Sequence, residues 1–100
     1  MIKALIAAIN GRREIHFNYN GVNRIAHPVA IGESDQGDIV LRCYQAEDSF
    51  VPSAQAWDVC RLEDISSLCV DDNVFANDPP GYRHSDESVE QHMRKVYARL

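Results

Sequence analysis

A chain of 100 residues with a formal net charge of -5, from 15 acidic against 10 basic side chains, is sized for one domain. Hydrophobic residues make up 45% of it, enough for a buried core, yet the longest apolar run, Ala4 to Ile9, is far shorter than the ~20 residues a bilayer span takes. The acidic balance works against non-specific binding of duplex DNA, and three cysteines without a CxxC pair argue against a disulfide framework or a structural zinc.

The first element is a helix. Ile2, Leu5, Ile6 and Ile9 recur at the spacing of one helical face. No small-residue cleavage site follows before Arg12-Arg13-Glu14, so the segment reads as part of the fold rather than as a signal peptide. Asn10-Gly11 is the expected stop, since both residues tolerate the left-handed conformation of a helix C-cap.

Strand character begins at Glu14, where Ile15, Phe17 and Tyr19 alternate with polar residues. Asn20-Gly21 predicts a type I′ hairpin. The return strand, VNRIAHPVAI, carries Pro28 and so expects an edge or a bulge there. After the turn-forming GESDQG comes a third strand, DIVLRCYQ. Its alternation turns Ile39, Leu41 and Cys43 to one face, and Val40, Arg42 and Tyr44 to the other. A loop, AEDSFVPSAQA, leads to a fourth strand, WDVCRL, a single helical turn at EDI, and a fifth strand, SSLCVDD.

Past Asp72, Pro79-Pro80-Gly81 breaks regular structure. Ser85 or Asp86 then caps an expected final helix, with Val89, Met93, Val96, Tyr97 and Leu100 on one face. The expected fold is mainly β with flanking helices. It is a small five-stranded SH3-like or Sm-like barrel over residues 1–72, N-terminal helix included. Residues 73–100 form an extension whose helix packs on the barrel or on a dimer partner. A split antiparallel sheet with helices on one side is the other arrangement this order allows.

No GxSxG, P-loop, GxGxxG or HExxH motif is present, and no catalytic residue, metal or cofactor is assigned. His16 and His27 face each other across the expected hairpin but lack an obvious third metal ligand. Cys43, Cys60 and Cys69 read as small core residues of a reducing, cytoplasmic protein. The arginines carry more information. Arg24, Arg42 and Arg61 each sit at mid-strand on the second, third and fourth strands. A shared anion would satisfy them, because guanidinium forks bind phosphate bidentately, and Tyr19, Tyr44 and Trp57 would add stacking faces for bases. The other reading pairs each arginine with a local acid such as Glu14, Glu63 or Asp64, or leaves it solvated.

The stretches LIAAINGRREIHFNYNGVNRIAHPVAIG, GDIVLRCYQ and WDVCRLEDISSLCV, with PPGY and the terminal VYARL, together resemble a WYL domain, by their order and spacing rather than by any one motif. The name-giving Trp-Tyr-Leu stands here as Ile39-Val40-Leu41. The resemblance implies a compact, standalone member without a helix-turn-helix domain. It implies an Sm-like, non-enzymatic ligand-sensing module of the kind found in bacterial transcription regulation and phage defence. Its ligand would be a nucleotide or single-stranded nucleic acid. Carried over by position, the basic and aromatic face would use Tyr19, Arg24, Arg42, Tyr44 and Arg61, with His27 and Gln45 at its border. The competing expectation is a protein-interaction or dimerisation module that binds a homodimer mate or a larger protein, and no nucleic acid. Neither expectation involves a membrane.

Overall fold

A computed structural model describes residues 1–45, 57–79 and 93–100. These residues are mainly β, with one α-helix among them, α1 (Ile2–Asn10), followed by β1 (Arg13–Tyr19), β2 (Val22–Ser34), β3 (Ile39–Gln45), β4 (Trp57–Arg61), a 3-10 turn (Leu62–Asp64), β5 (Ile65–Val74) and β6 (Met93–Arg99). All strand pairs are antiparallel, in the order β4-β3-β2-β1-β5, with β6 alongside β2.

The hairpin forms where Asn-Gly predicts it. Tyr19 pairs with Val22, and both Asn20 (φ 51°) and Gly21 (φ 86°) take the left-handed values that a type I′ turn requires. The Asn18 carboxamide oxygen accepts the Gly21 N–H at 3.0 Å and tightens the loop. The end of α1 differs from expectation. Gly11 has φ -89° and donates its N–H to the Ala7 carbonyl, and it is Arg12 that turns left-handed, at φ 52°. That strained residue is held from three sides. Asp78 pairs with its guanidinium, the Phe75 ring lies 5.7 Å beneath it, and the Phe75 N–H bonds its carbonyl.

β2 organises the sheet. It is 13 residues long and changes neighbours midway. Val22–Ala26 pair with β1, whereas Ala30–Ser34 pair with β6 on the same edge, and β3 runs along the other edge. The changeover contains Pro28, which has no N–H to donate, and a bulge between Pro28 and Ala30. The proline therefore sits where a ladder bond is interrupted, as the sequence suggests.

The inner face holds the main core. Leu5, Ala8 and Ile9 of α1 pack on Ile15, Phe17, Ala26, Ile31, Leu41, Cys43, Cys60 and Ile65. Each of the α1 residues is at most 1% exposed. Alternation along β3 is as expected, with Leu41 and Cys43 fully buried inside. The Cys43 thiol is hydrogen-bonded to Cys60 and buried, and both effects push it well above the ordinary thiol range. On the opposite face Val29, Ala30, Val40 and Met93 form a second, smaller cluster.

Three expectations need correction. Met93–Arg99 is a strand, not a helix, because the second half of β2 presents an unpaired edge. Pairing with that edge satisfies backbone groups and buries Met93, and this outweighs the helical spacing of Met93, Val96 and Leu100. The sheet is not closed. β4 and β5 end its hydrogen-bonded path, so a five-stranded barrel is not what the described residues form. Finally, the boundary after residue 72 falls inside β5, and β6 continues the same sheet. The expected loop over 46–56, the PPGY turn from Pro80 onward and the helix cap at Ser85 or Asp86 lie outside the described residues. Among the described residues no helix is long and apolar enough to cross a membrane.

Candidate ligand-binding cavity

The register of β3 and β4 sets one polar wall. Arg42 pairs with Val59, Tyr44 with Trp57 and Val40 with Arg61, so all six side chains leave the outer face. Leu41 and Cys60 face the core between them. The turn from β2 to β3 closes one side of this wall. Ser34 donates its N–H to the Asp38 carbonyl (2.7 Å) and accepts the Asp38 N–H on its hydroxyl (3.2 Å), while Gly37 at φ 90° permits the reversal. Met93 of β6 forms another boundary.

These elements enclose a cavity of about 570 Å³ lined by Asp35, Asp38, Val40, Arg42, Trp57, Arg61 and Met93, among others. The Arg42 guanidinium lies over the Trp57 ring, 4.6 Å from its centroid. Tyr44 meets the same ring edge-on at 5.2 Å and 67°. Trp57 is thus held between a cation and a second aromatic. Arg61 stands on the same wall and pairs with Glu63, with Asp64 at 3.9 Å. Cation, aromatic and carboxylate groups therefore border one space of small-ligand size.

The residues singled out from sequence separate into three groups. Arg42 and Arg61 line the cavity, and Tyr44 reaches it through Trp57. Arg24 and Tyr19 do not join them. Arg24 shares the inner face with Ala26 and is paired to Asp58, with its guanidinium 5.1 Å from the Tyr19 ring centroid. Cross-strand neighbours explain this. Asp58 is opposite Cys43 and so points inward, where it meets an arginine from β2 at the open end of the core. With its side chain 13% exposed, Arg24 ties β2 to β4. The convergence of Arg24 with Arg42 is therefore absent, and that of Arg42 with Arg61 is present. Gln45 is 5% exposed on the inward side, opposite Ala26. His27 points outward, stacks on Phe75 at 4.4 Å and contacts Glu14 at 3.1 Å.

The cavity also contains groups that strand alternation could not supply. Asp35 and Asp38 come from a turn, and Met93 from a strand that reads as helix in sequence. Trp57 was legible, since Trp57, Val59 and Arg61 alternate on one face of β4. Comparison of the chain with protein-family models, with curated proteins and with solved structures finds no match.

Proposed function

We propose that this protein is a non-enzymatic ligand-sensing module, similar to WYL domains, whose outer β3–β4 cavity binds a nucleotide or a short single-stranded nucleic acid. The observation that carries this reading is the Arg42–Trp57 pair at 4.6 Å on the wall of a 570 Å³ cavity, with Arg61 beside it. A base stacks on Trp57, and the two guanidinium groups take phosphate oxygens. Asp35 and Asp38, also in the lining, accept hydrogen bonds from sugar hydroxyls or exocyclic amines and disfavour a long polyanion. The net charge of -5 has the same selective effect against duplex.

The test is binding of oligothymidylate and of a nucleoside triphosphate, followed by fluorescence anisotropy across a salt series. Arg42→Ala is expected to weaken binding roughly 10- to 100-fold, the worth of a charge-assisted hydrogen-bonded contact, and to flatten the salt dependence. Affinity that is indifferent to salt and to Arg42→Ala would refute the reading. The second reading, an interaction module, draws on the open sheet, whose path ends at β4 and β5 with Val59 and Val74 exposed. Concentration-dependent sedimentation with no oligonucleotide binding at any salt would favour it.

A further inference from the structure

A second polar cluster lies on the outer face of the sheet around β1, apart from the cavity. Glu14 and His16 alternate outward from β1, whose Ile15 and Phe17 face the core. Two irregularities in the β1–β5 ladder shape the cluster. Arg13 pairs with Val74 but Ile15 with Val70, so β5 carries extra residues opposite Glu14, and Asp71 is among them. A second shift, between His16 and Asn18, contains Ser67 at φ 54°. The result brings Glu14, His16 and Asp71 together with their ligand atoms all within 4.8 Å of one another.

The geometry within the cluster is specific. His16 Nε2 lies 3.1 Å from Asp71 Oδ2 and 3.5 Å from Glu14 Oε1. These spacings are close to the edge of a tetrahedron built on metal–ligand bonds of about 2.0–2.2 Å, which is roughly 3.3–3.6 Å. The Nε2 atom is itself buried and, among the described residues, makes no hydrogen bond. It lies at ion-pair distance from two carboxylate oxygens, without hydrogen-bond geometry to either. The remaining oxygen of each carboxylate is held. His27 Nε2 contacts Glu14 Oε2 at 3.1 Å, and the Asn73 N–H donates to Asp71 Oδ1 at 2.9 Å. His27 is in turn fixed by its stack on Phe75. Each acid thus has one oxygen anchored and one turned toward His16, the division found around a metal ligand and its supporting shell.

Charge favours the same occupant. Two carboxylates this close repel one another. Arg13, next to Glu14 in β1, gives its hydrogen bonds to the Asp71 backbone carbonyl and the Asp72 carboxylate rather than to either of them. We infer that Glu14, His16 and Asp71 form a divalent transition-metal site, suited to Zn²⁺, with His27 as the supporting residue that orients Glu14. One imidazole and two carboxylates leave a fourth position for water, and His16, 42% exposed, leaves the site open to an incoming ion. The site is independent of the ligand cavity, and its fate does not bear on that reading.

The experiment titrates chelator-treated protein with Zn²⁺ and, as an optical probe, Co²⁺. Expected are one binding event, an upward shift in melting temperature, and visible Co²⁺ bands of a nitrogen–oxygen site. His16→Ala and Asp71→Asn should each weaken binding by more than tenfold, and His27→Ala by about 10- to 100-fold. Asp71→Asn, which keeps the shape of the side chain, serves where His16→Ala does not fold. Cys69, the cross-strand partner of His16, supplies the sharpest control. Cys69→Ser should leave affinity unchanged. A thiolate charge-transfer band that vanishes in Cys69→Ser would overturn this ligand set. So would binding indifferent to both His16→Ala and Asp71→Asn. The absence of any Zn²⁺ binding would identify the cluster as a network of histidine–carboxylate contacts and overturn the site altogether.

Discussion

Gly32→Ala is the most direct test of how the C-terminal segment docks. Gly32 has an ordinary backbone conformation, so alanine should be tolerated on local grounds and even gain about 0.5–1 kcal/mol from lower chain entropy. Its surroundings forbid it. A Cβ there would lie 2.9 Å from Met93 Sδ and 3.1 Å from Val96 Cα, and nearer still to the Lys95 carbonyl oxygen. The backbone of β6 cannot turn aside like the end of a side chain, so relief requires the strand to retreat by about 1 Å. Such overpacking costs about 1–3 kcal/mol. A retreat also loosens the ladder from Ala30–Arg99 to Ser34–Met93 and lifts Met93 from its cluster. The net expectation is a loss of about 1–2 kcal/mol, or roughly 5–15 °C in Tm for a chain of this size. Thermal and urea melts followed by circular dichroism give the number. Hydrogen exchange should show that amides 93–99 lose protection first. A Gly32→Ala protein that melts at or above the parent temperature, with those amides still protected, would refute the docking of β6 over Gly32.

Two further outcomes follow from the interior. Arg24→Ala leaves the Asp58 carboxylate partly buried without its guanidinium, which should cost about 2 kcal/mol, less than a fully buried pair because Asp58 is 31% exposed. The same variant should retain oligonucleotide affinity, and a large loss of affinity with intact stability would return Arg24 to the site. The raised Cys43 thiol predicts alkaline lability. Above the ordinary thiol value of about 8.5 the unfolded chain releases the Cys43 proton while the folded chain keeps it, so stability falls by about 1.4 kcal/mol per pH unit until the folded thiol also ionises. Below that value the contribution is fully present. Urea titrations at pH 8, 9 and 10 should show this slope and its reduction in Cys43→Ala; identical slopes in the two proteins would contradict it.

The divided fate of the arginines shows where strand-by-strand reading stops. Alternation along β3 assigned Arg42 and Tyr44 to one face and Leu41 and Cys43 to the other, because a pleated backbone obliges successive side chains to oppose. The same rule puts Arg24 and Ala26 on one face of β2, yet it cannot tell which face of β2 is inward. That face is defined by α1, whose Leu5, Ala8 and Ile9 cover one side of the sheet. Arg24 then shares the inner side with Asp58, while Arg42 and Arg61 share the outer one. For β6 the failure is of another kind. Met93, Val96 and Leu100 satisfy a helical period, and only the vacant edge of β2 makes the extended form the better one.

Local chemistry was sufficient for α1, for the Asn20-Gly21 hairpin, for the irregularity around Pro28, for the helical turn ahead of β5 and for the inward residues of β3. Each depends on propensity, turn geometry or a missing N–H within a few residues. Tertiary structure alone decided the rest. It paired the two halves of β2 with different partners, drew Trp57 under Arg42, and shifted β5 so that Asp71 met Glu14 and His16. The physical reason is common to all three. Strand pairing joins residues far apart in sequence, and a bulge or a vacant edge changes which side chains meet without leaving a mark on the local pattern.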